Sequence, residues 1–176
     1  MDFNTVYKFG KEVDIITIEI ENINVEALEE LKKENKIVYP QPQVLKIVQD
    51  KSLQKEFYFN NNIPSTPFKI FNSKDEIKNF LSKEGRSYPF IWKSSKMGYD
   101  GYGVKLIEDN NSIEDIPDKH CIIEDKAEIV KELAVMVVSM PSGEVINYPV
   151  VEMEFNAKSN QVEYIISPAR IDQEIK

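Results

Sequence analysis

Two lysines, a glycine-rich stretch and two glutamates follow one another along this chain, and their types are those that hold a polyphosphate and a sugar-bearing base. Lys51 lies between two apolar helical runs, in VQDKSLQKEF, and Lys93 closes the strand-like run PFIWK. Gly98, Gly101 and Gly103 then crowd into GYDGYG, three of the chain's six glycines within six residues. Glycine leaves no Cβ between backbone and ligand and reaches positive φ, so such a stretch can wrap its N–H groups around an anion. Lysine ammonium groups beside it neutralise phosphate charge. Glu124 ends CIIE and Glu132 opens ELAVMVV, and carboxylates at strand ends accept hydrogen bonds from sugar hydroxyls or a base amino group. Each feature also has a plain structural reading. Glycine pairs punctuate hairpins, lysines are mostly solvated charges, and edge glutamates keep strands from aggregating. From the loop alone the two readings weigh equally.

The elements that must position these residues change character along the chain. DIITIEI, residues 14–20, is β-branched enough for a buried strand. Asn24 offers an N-cap to a helix carrying Val25, Leu28 and Leu31 at helical spacing, and KIVYP follows as a short strand. The order strand, helix, strand has the connection length of a parallel crossover. Two helices come next, one from Pro42 with Val44, Leu45, Ile47 and Val48, and one after QDK with Leu53, Phe57 and Tyr58. Ser73 and Glu76 form a capping-box pattern for a helix containing Ile77, Phe80 and Leu81, closed by Gly85. From Pro89 onward the runs PFIWK, GVKLI, CIIE, LAVMVVS, EVINYPVVEME and VEYIIS read as strands of an antiparallel sheet, with Pro141, Ser142 and Gly143 as a turn. The fold class expected is α+β: helices leading into an antiparallel sheet, preceded by a piece of an α/β unit, with a boundary near residues 40–50.

Composition narrows the function classes. A chain of 176 residues with 41% hydrophobic content can bury one sizeable core or two small ones. The net charge of −8 makes DNA and RNA poor partners. No apolar run approaches the ~18 residues of a membrane span, and MDFNTVYKFG lacks the layout of a secretory signal, so a cytoplasmic protein is expected. Cys121, the one cysteine, reads as a buried structural thiol, and His120, the one histidine, has no partner at metal-ligand spacing.

Read together, Lys51, Lys93, GYDGYG, Glu124 and Glu132 resemble the nucleotide contacts of the ATP-grasp superfamily in their order. The segments DIITIEIENINVEAL, QDKSLQKEF, IPSTPF, GYDGYGV, KELAVMVV, GEVINYPVVEMEFN and SPARI are similar to the ATP-dependent 5-(carboxyamino)imidazole ribonucleotide synthases of purine biosynthesis, over essentially the whole chain. The resemblance implies an ATP-grasp domain at residues 46–176, incomplete at its C-terminal end, after the remnant of a pre-ATP-grasp domain at residues 1–45. It implies that Lys51 and Lys93 contact ATP phosphates under a loop containing Gly98, Gly101 and Gly103. Glu124 would begin the adenine hinge with backbone groups of Asp125 and Ala127, and Glu132 would hold the ribose. Tyr99 and Asp100 would orient bicarbonate or 5-aminoimidazole ribonucleotide. Mg²⁺ would be held by carboxylates outside this chain, which would be the middle of a longer enzyme, and a homodimer stays open. The chain departs from the family around GYDG: two arginines are usual before it and a lysine or arginine after it, where this chain has Ser95, Lys96 and Met97, and Tyr102. Another ATP-grasp carboxylate-amine ligase, or a catalytically empty nucleotide-binding or assembly module, are the rival expectations.

Overall fold

Asn24 starts the first predicted helix as expected: its side chain accepts the Ala27 N–H at 2.8 Å, and helix α2 (Val25–Lys33) buries Ala27, Leu28 and Leu31. The computed structural model that shows this describes residues 1–84, 88–96, 103–156, 159 and 161–172. Gly85, Met97, Gly98, Tyr99, Asp100, Gly101 and Tyr102 lie outside the described residues. Helix α1 (Phe3–Lys11), capped by Asp2, was not expected from the sequence. It packs closely on α2, so that a Cβ at Gly10 would stand 2.3 Å from Leu31 Cδ1. Strands β1 (Ile15–Thr17) and β2 (Ile37–Tyr39) pair in parallel with Ile16 opposite Val38, which is the anticipated crossover. The strand expected over residues 14–20 stops at Thr17. Val6, Ile16, Leu28, Leu31 and Val38 form an apolar cluster, closed by Leu45 of α3 (Pro42–Val48).

Asp50 then caps α4 (Lys51–Asn60), its carboxylate accepting from Ser52 N at 3.0 Å. Strand β3 (Phe68–Phe71) follows, hidden in the sequence behind the punctuation of NNNIPSTP. Helix α5 (Lys74–Glu84) opens with Ser73 Oγ accepting the Glu76 N–H, while the Glu76 carboxylate accepts from Asn72 N, one residue earlier than a regular capping box. The remaining elements of this region are β4 (Phe90–Ser94), β5 (Val104–Ile107), α6 (Asn110–Glu114, also unexpected) and β6 (Cys121–Asp125). Four strands form an antiparallel sheet in the order β3-β6-β4-β5. One face presents Phe71, Phe90, Trp92, Ile107, Cys121 and Ile123 to a second apolar cluster, completed by Ile77 of α5 and Ile113 of α6. The period of two along a strand sends Ile91 and Lys93 to the other face, where α4 meets β6.

Residues Met1–Lys126 and Ala127–Lys176 form two compact units. Among its described residues the regular elements of the second are all strands. A three-stranded antiparallel sheet runs in the order β11 (Val162–Ile166), β10 (Val151–Phe155), β7 (Glu132–Ala134). A separate hairpin joins β8 (Val137–Ser139) to β9 (Val145–Asn147). Its turn is the one expected: Gly143 takes φ 87 and donates to Met140 O at 2.9 Å. The single antiparallel sheet anticipated from Pro89 onward is thus divided among three. LAVMVVS breaks between β7 and β8, and EVINYPVVEME breaks at Tyr148 and Pro149, where proline offers no ladder N–H. Among the described residues of this unit only Glu152 and Ala169 are buried. Among the described residues of the chain, no helix is long and apolar enough to cross a membrane.

Candidate functional site

The register of the four-stranded sheet brings two of the expected residues together. Ile91 stands opposite Glu124, so Lys93, two residues further along β4, is the diagonal neighbour of Glu124 on the same face. Lys93 Nζ and Glu124 Oε1 form an ion pair. The other oxygen, Oε2, is held by Lys55 Nζ at 2.6 Å and by the Thr66 hydroxyl at 3.0 Å. Glu124 is 4% exposed. Burial works against its ionisation, but the hydrogen bonds from Lys55 and Lys93 outweigh it and hold the carboxyl below its ordinary value.

Lys55 was not among the residues predicted from sequence. It sits four residues beyond Lys51 on α4, and residues at that spacing share a helix face. That spacing in QDKSLQKEF was the available signal. Lys55 Nζ also donates to Ser65 Oγ at 2.6 Å and Thr66 Oγ1 at 2.9 Å, and it lies 5.8 Å from the centre of the Phe68 ring.

Lys51 is the first residue of α4, and its backbone N–H donates to Ser95 O at 2.8 Å, tying the helix start to the end of β4. Lys51 lines a cleft of about 420 Å³ with Lys46, Lys96, Glu21, Glu26 and Glu29. Lys93 and Glu124 do not line that cleft, so the expected phosphate-binding lysines occupy two places, one beside the cleft and one on the sheet face. The Asp50 carboxylate meets the first amides of α4, with Lys96 Nζ 3.6 Å away. The helix start is therefore already satisfied by a carboxylate, and charge for an anion must come from lysines.

Gly103 is the described glycine of the loop. It takes φ 92, a conformation that favours glycine, and its carbonyl accepts from Ser94 N at 2.8 Å. Strands β4 and β5 do form an antiparallel pair, as the hairpin reading required. Residues 95–103 join them, however, a connection longer than the about two to five residues of ordinary hairpin loops. Asp125 gives its N–H to Pro67 O at 3.0 Å. Ala127, the first residue of the second unit, is exposed. Glu132 opens β7 opposite Met153.

The acidic residues of β10 are committed to cations. Arg170 donates from Nε and Nη2 to the Glu152 carboxylate at 3.2 and 2.8 Å, Lys131 Nζ lies 3.0 Å from it, and Arg170 also pairs with Glu154. Hydrogen bonds from Arg170 first and Lys131 second lower the Glu152 pKa to about 2. Among the described residues, no group of three or more His, Cys, Asp or Glu is placed to hold a metal ion.

The chain thus carries a parallel βαβ unit followed by an antiparallel sheet on one face of which Lys93, Lys55 and Glu124 meet. The chain belongs to the ATP-grasp family: the ATP-grasp domain matches residues 56–176, and the ribonucleotide synthetase preATP-grasp domain matches residues 1–49. Its relatives narrow the class further. The phosphoribosylaminoimidazole carboxylase of Candida glabrata is 35% identical over 170 residues, which are 93% of this chain and 29% of that protein. The carboxyaminoimidazole ribonucleotide synthase of Aspergillus clavatus, solved with ATP, is 28% identical with a TM-score of 0.84, covering 99% of this chain and 46% of that one. A second Aspergillus clavatus structure, with ADP and 5-aminoimidazole ribonucleotide, gives 28% and 0.82 over 99% and 45%. The chain spans less than half the length of each of these.

Proposed function

We propose that the chain is the nucleotide-binding part of an ATP-dependent ligase that carboxylates 5-aminoimidazole ribonucleotide with bicarbonate, in the cytoplasm. The observation that carries this reading is the buried Glu124 clasped between Lys93 and Lys55 on the face of the sheet that meets α4, in a chain of the ATP-grasp family. In the reaction, bicarbonate attacks the γ-phosphorus of ATP, and ADP leaves with the electrons of the broken bond. The resulting carboxyphosphate gives up CO₂ to the amine of aminoimidazole ribonucleotide, with phosphate and a proton released. The protein's part in such a transfer is positioning and charge neutralisation. Lys93 and Lys51 take phosphate charge. Glu124 with backbone groups of Asp125 and Ala127 holds the adenine, and Glu132 holds the ribose. Gly98, Gly101 and Gly103 let the loop close over the phosphates, and Tyr99 and Asp100 orient bicarbonate or the aminoimidazole. Mg²⁺ belongs to the same reading, but the described residues do not fit it, because Glu152 and Glu154 are already paired with cations.

Calorimetric titration with ADP and ATP tests the proposal. Lys93→Ala is expected to weaken ADP binding by about tenfold or more, the size of one lost charge contact, and Lys96→Ala by less than about twofold. Lys96 differs because its side chain is 70% exposed and only loosely placed beside Asp50. Equal effects of the two substitutions, or no binding to the unsubstituted chain, would overturn the reading.

A further inference from the structure

The two lysines on Glu124 are not equivalent. Lys55 meets Oε2, its side chain is 12% exposed, and it is fenced by Ser65, Thr66 and the Phe68 ring. Lys93 meets Oε1, is 29% exposed, and stands near the end of β4, where the glycine-rich connection begins. If Lys93 is drawn to a phosphate, as the proposed nucleotide site requires, Glu124 loses one of its two cations while remaining buried. A buried carboxylate without a counter-charge is strongly unfavourable. Something must therefore compensate Glu124 throughout, and the same carboxylate must offer an oxygen to the ligand.

We infer that Lys55 is the permanent counter-ion of Glu124, a positioning residue that fixes Oε2 so that Lys93 can exchange between Oε1 and a nucleotide phosphate. Oε2 is then the structural oxygen, saturated by Lys55 and the Thr66 hydroxyl. Oε1 is the working oxygen, vacated by Lys93 and available to a donor on the base. Thr66 serves both sides, donating to Glu124 and accepting from Lys55, so the fixed half of the cluster is a closed ring of three groups. The lysine that never touches the ligand thus lets the other one do so. This inference rests on the nucleotide-site reading.

A double-mutant cycle on the full chain, titrated with ADP, tests it, with melting temperature followed in parallel. Lys55→Met is expected to weaken ADP binding about tenfold, Lys55→Arg to restore it to within about threefold, and Lys55→Met to cost less than about twofold in a Glu124→Gln background. Lys55→Gln, which keeps a donor toward Thr66, serves if Lys55→Met does not fold; a loss of about fivefold supports the assignment and one below about twofold overturns it. With lysine ¹⁵N labelling, ADP is expected to shift the Lys93 ammonium resonance and leave that of Lys55 in place; equal shifts overturn the division of labour. A Lys55→Met protein that melts earlier but binds ADP normally, an Arg variant no better than Met, or additive losses in the cycle would each reduce Lys55 to a structural ion pair. In those cases ADP still binds the unsubstituted chain, so the nucleotide reading survives. Absence of ADP binding to that chain overturns both.

Discussion

Residues 1–126 bury carbon in two places, around Leu28 and Leu31 in one cluster and around Phe90, Trp92 and Ile123 in the other. Residues 127–172 are as rich in β-branched side chains to the eye, yet among their described members the two buried residues are a glutamate and an alanine. Val137, Ile146 and Ile165 are all exposed, and the centre of the three-stranded sheet is the cluster of Glu152, Lys131 and Arg170. Alternating apolar residues therefore establish that strands form without saying what covers them. In the first unit the covering is supplied by α5 and α6 over the four-stranded sheet and by α1, α2 and α3 over the parallel pair. In the second, the buried place on the central strand of the sheet is taken by a carboxylate with two cations.

The comparison can be broken most forcefully in the first unit. Phe90 is fully buried, and Phe90→Ala is expected to cost about 3–5 kcal/mol by removing its contacts and leaving a cavity. Trp92, the chain's one tryptophan, lies beside it in the same cluster, so its fluorescence in a denaturant titration reports this unit; a loss below about 1 kcal/mol would mean that the cluster is not the source of stability. In the second unit Glu152→Gln is expected to raise amide exchange in β7, β10 and β11 by more than about tenfold while leaving the Trp92 transition in place. Unchanged exchange would show that the ion cluster is ornamental. The same carboxylate sets an acid limit. Its folded pKa is about 2 against an ordinary 4.5, so its contribution is complete above the ordinary value and is lost as pH falls from there through about 2. Protection of the β10 amides, taken relative to the unfolded chain at each pH, should fall steeply across that window in the parent and weakly in Glu152→Gln. The smallest effect belongs to the hairpin. Ile146 is 45% exposed, and Ile146→Thr is expected to change stability by no more than about 0.5 kcal/mol; a larger loss would reveal burial that the second unit otherwise lacks.

What could be read from sequence follows the same division between local and distant causes. Asn24 and its helix, the parallel crossover and the Pro141 to Gly143 turn are written in adjacent residues, and each lies where its local chemistry places it. Strand β3 was lost because Phe68–Phe71 has only four residues and owes its strand character to pairing with β6, far along the chain. Helix α1 was not legible, since its place depends on the close approach to α2 that Gly10 permits, a contact between distant residues. LAVMVVS could not show its break, since the two halves join different sheets. At the candidate site, Lys93 and Glu124 were legible as types and the structure pairs them. Lys55 was not, because a helical lysine shows its importance only once the carboxylate it answers is seen across the fold.

Cys121 begins β6 in the interior of the four-stranded sheet, opposite Phe71 on one side and Ser94 on the other. It is fully buried, burial pushes its thiol above the usual range, and it is the chain's one cysteine. A thiol-selective dye added to the folded protein can therefore attach only to molecules in which the layer of α5 and α6 has parted from this face of the sheet. The rate of dye uptake then reads the frequency of that parting directly, and its slowing in the presence of ADP would time how firmly an occupant on the opposite face holds the sheet shut.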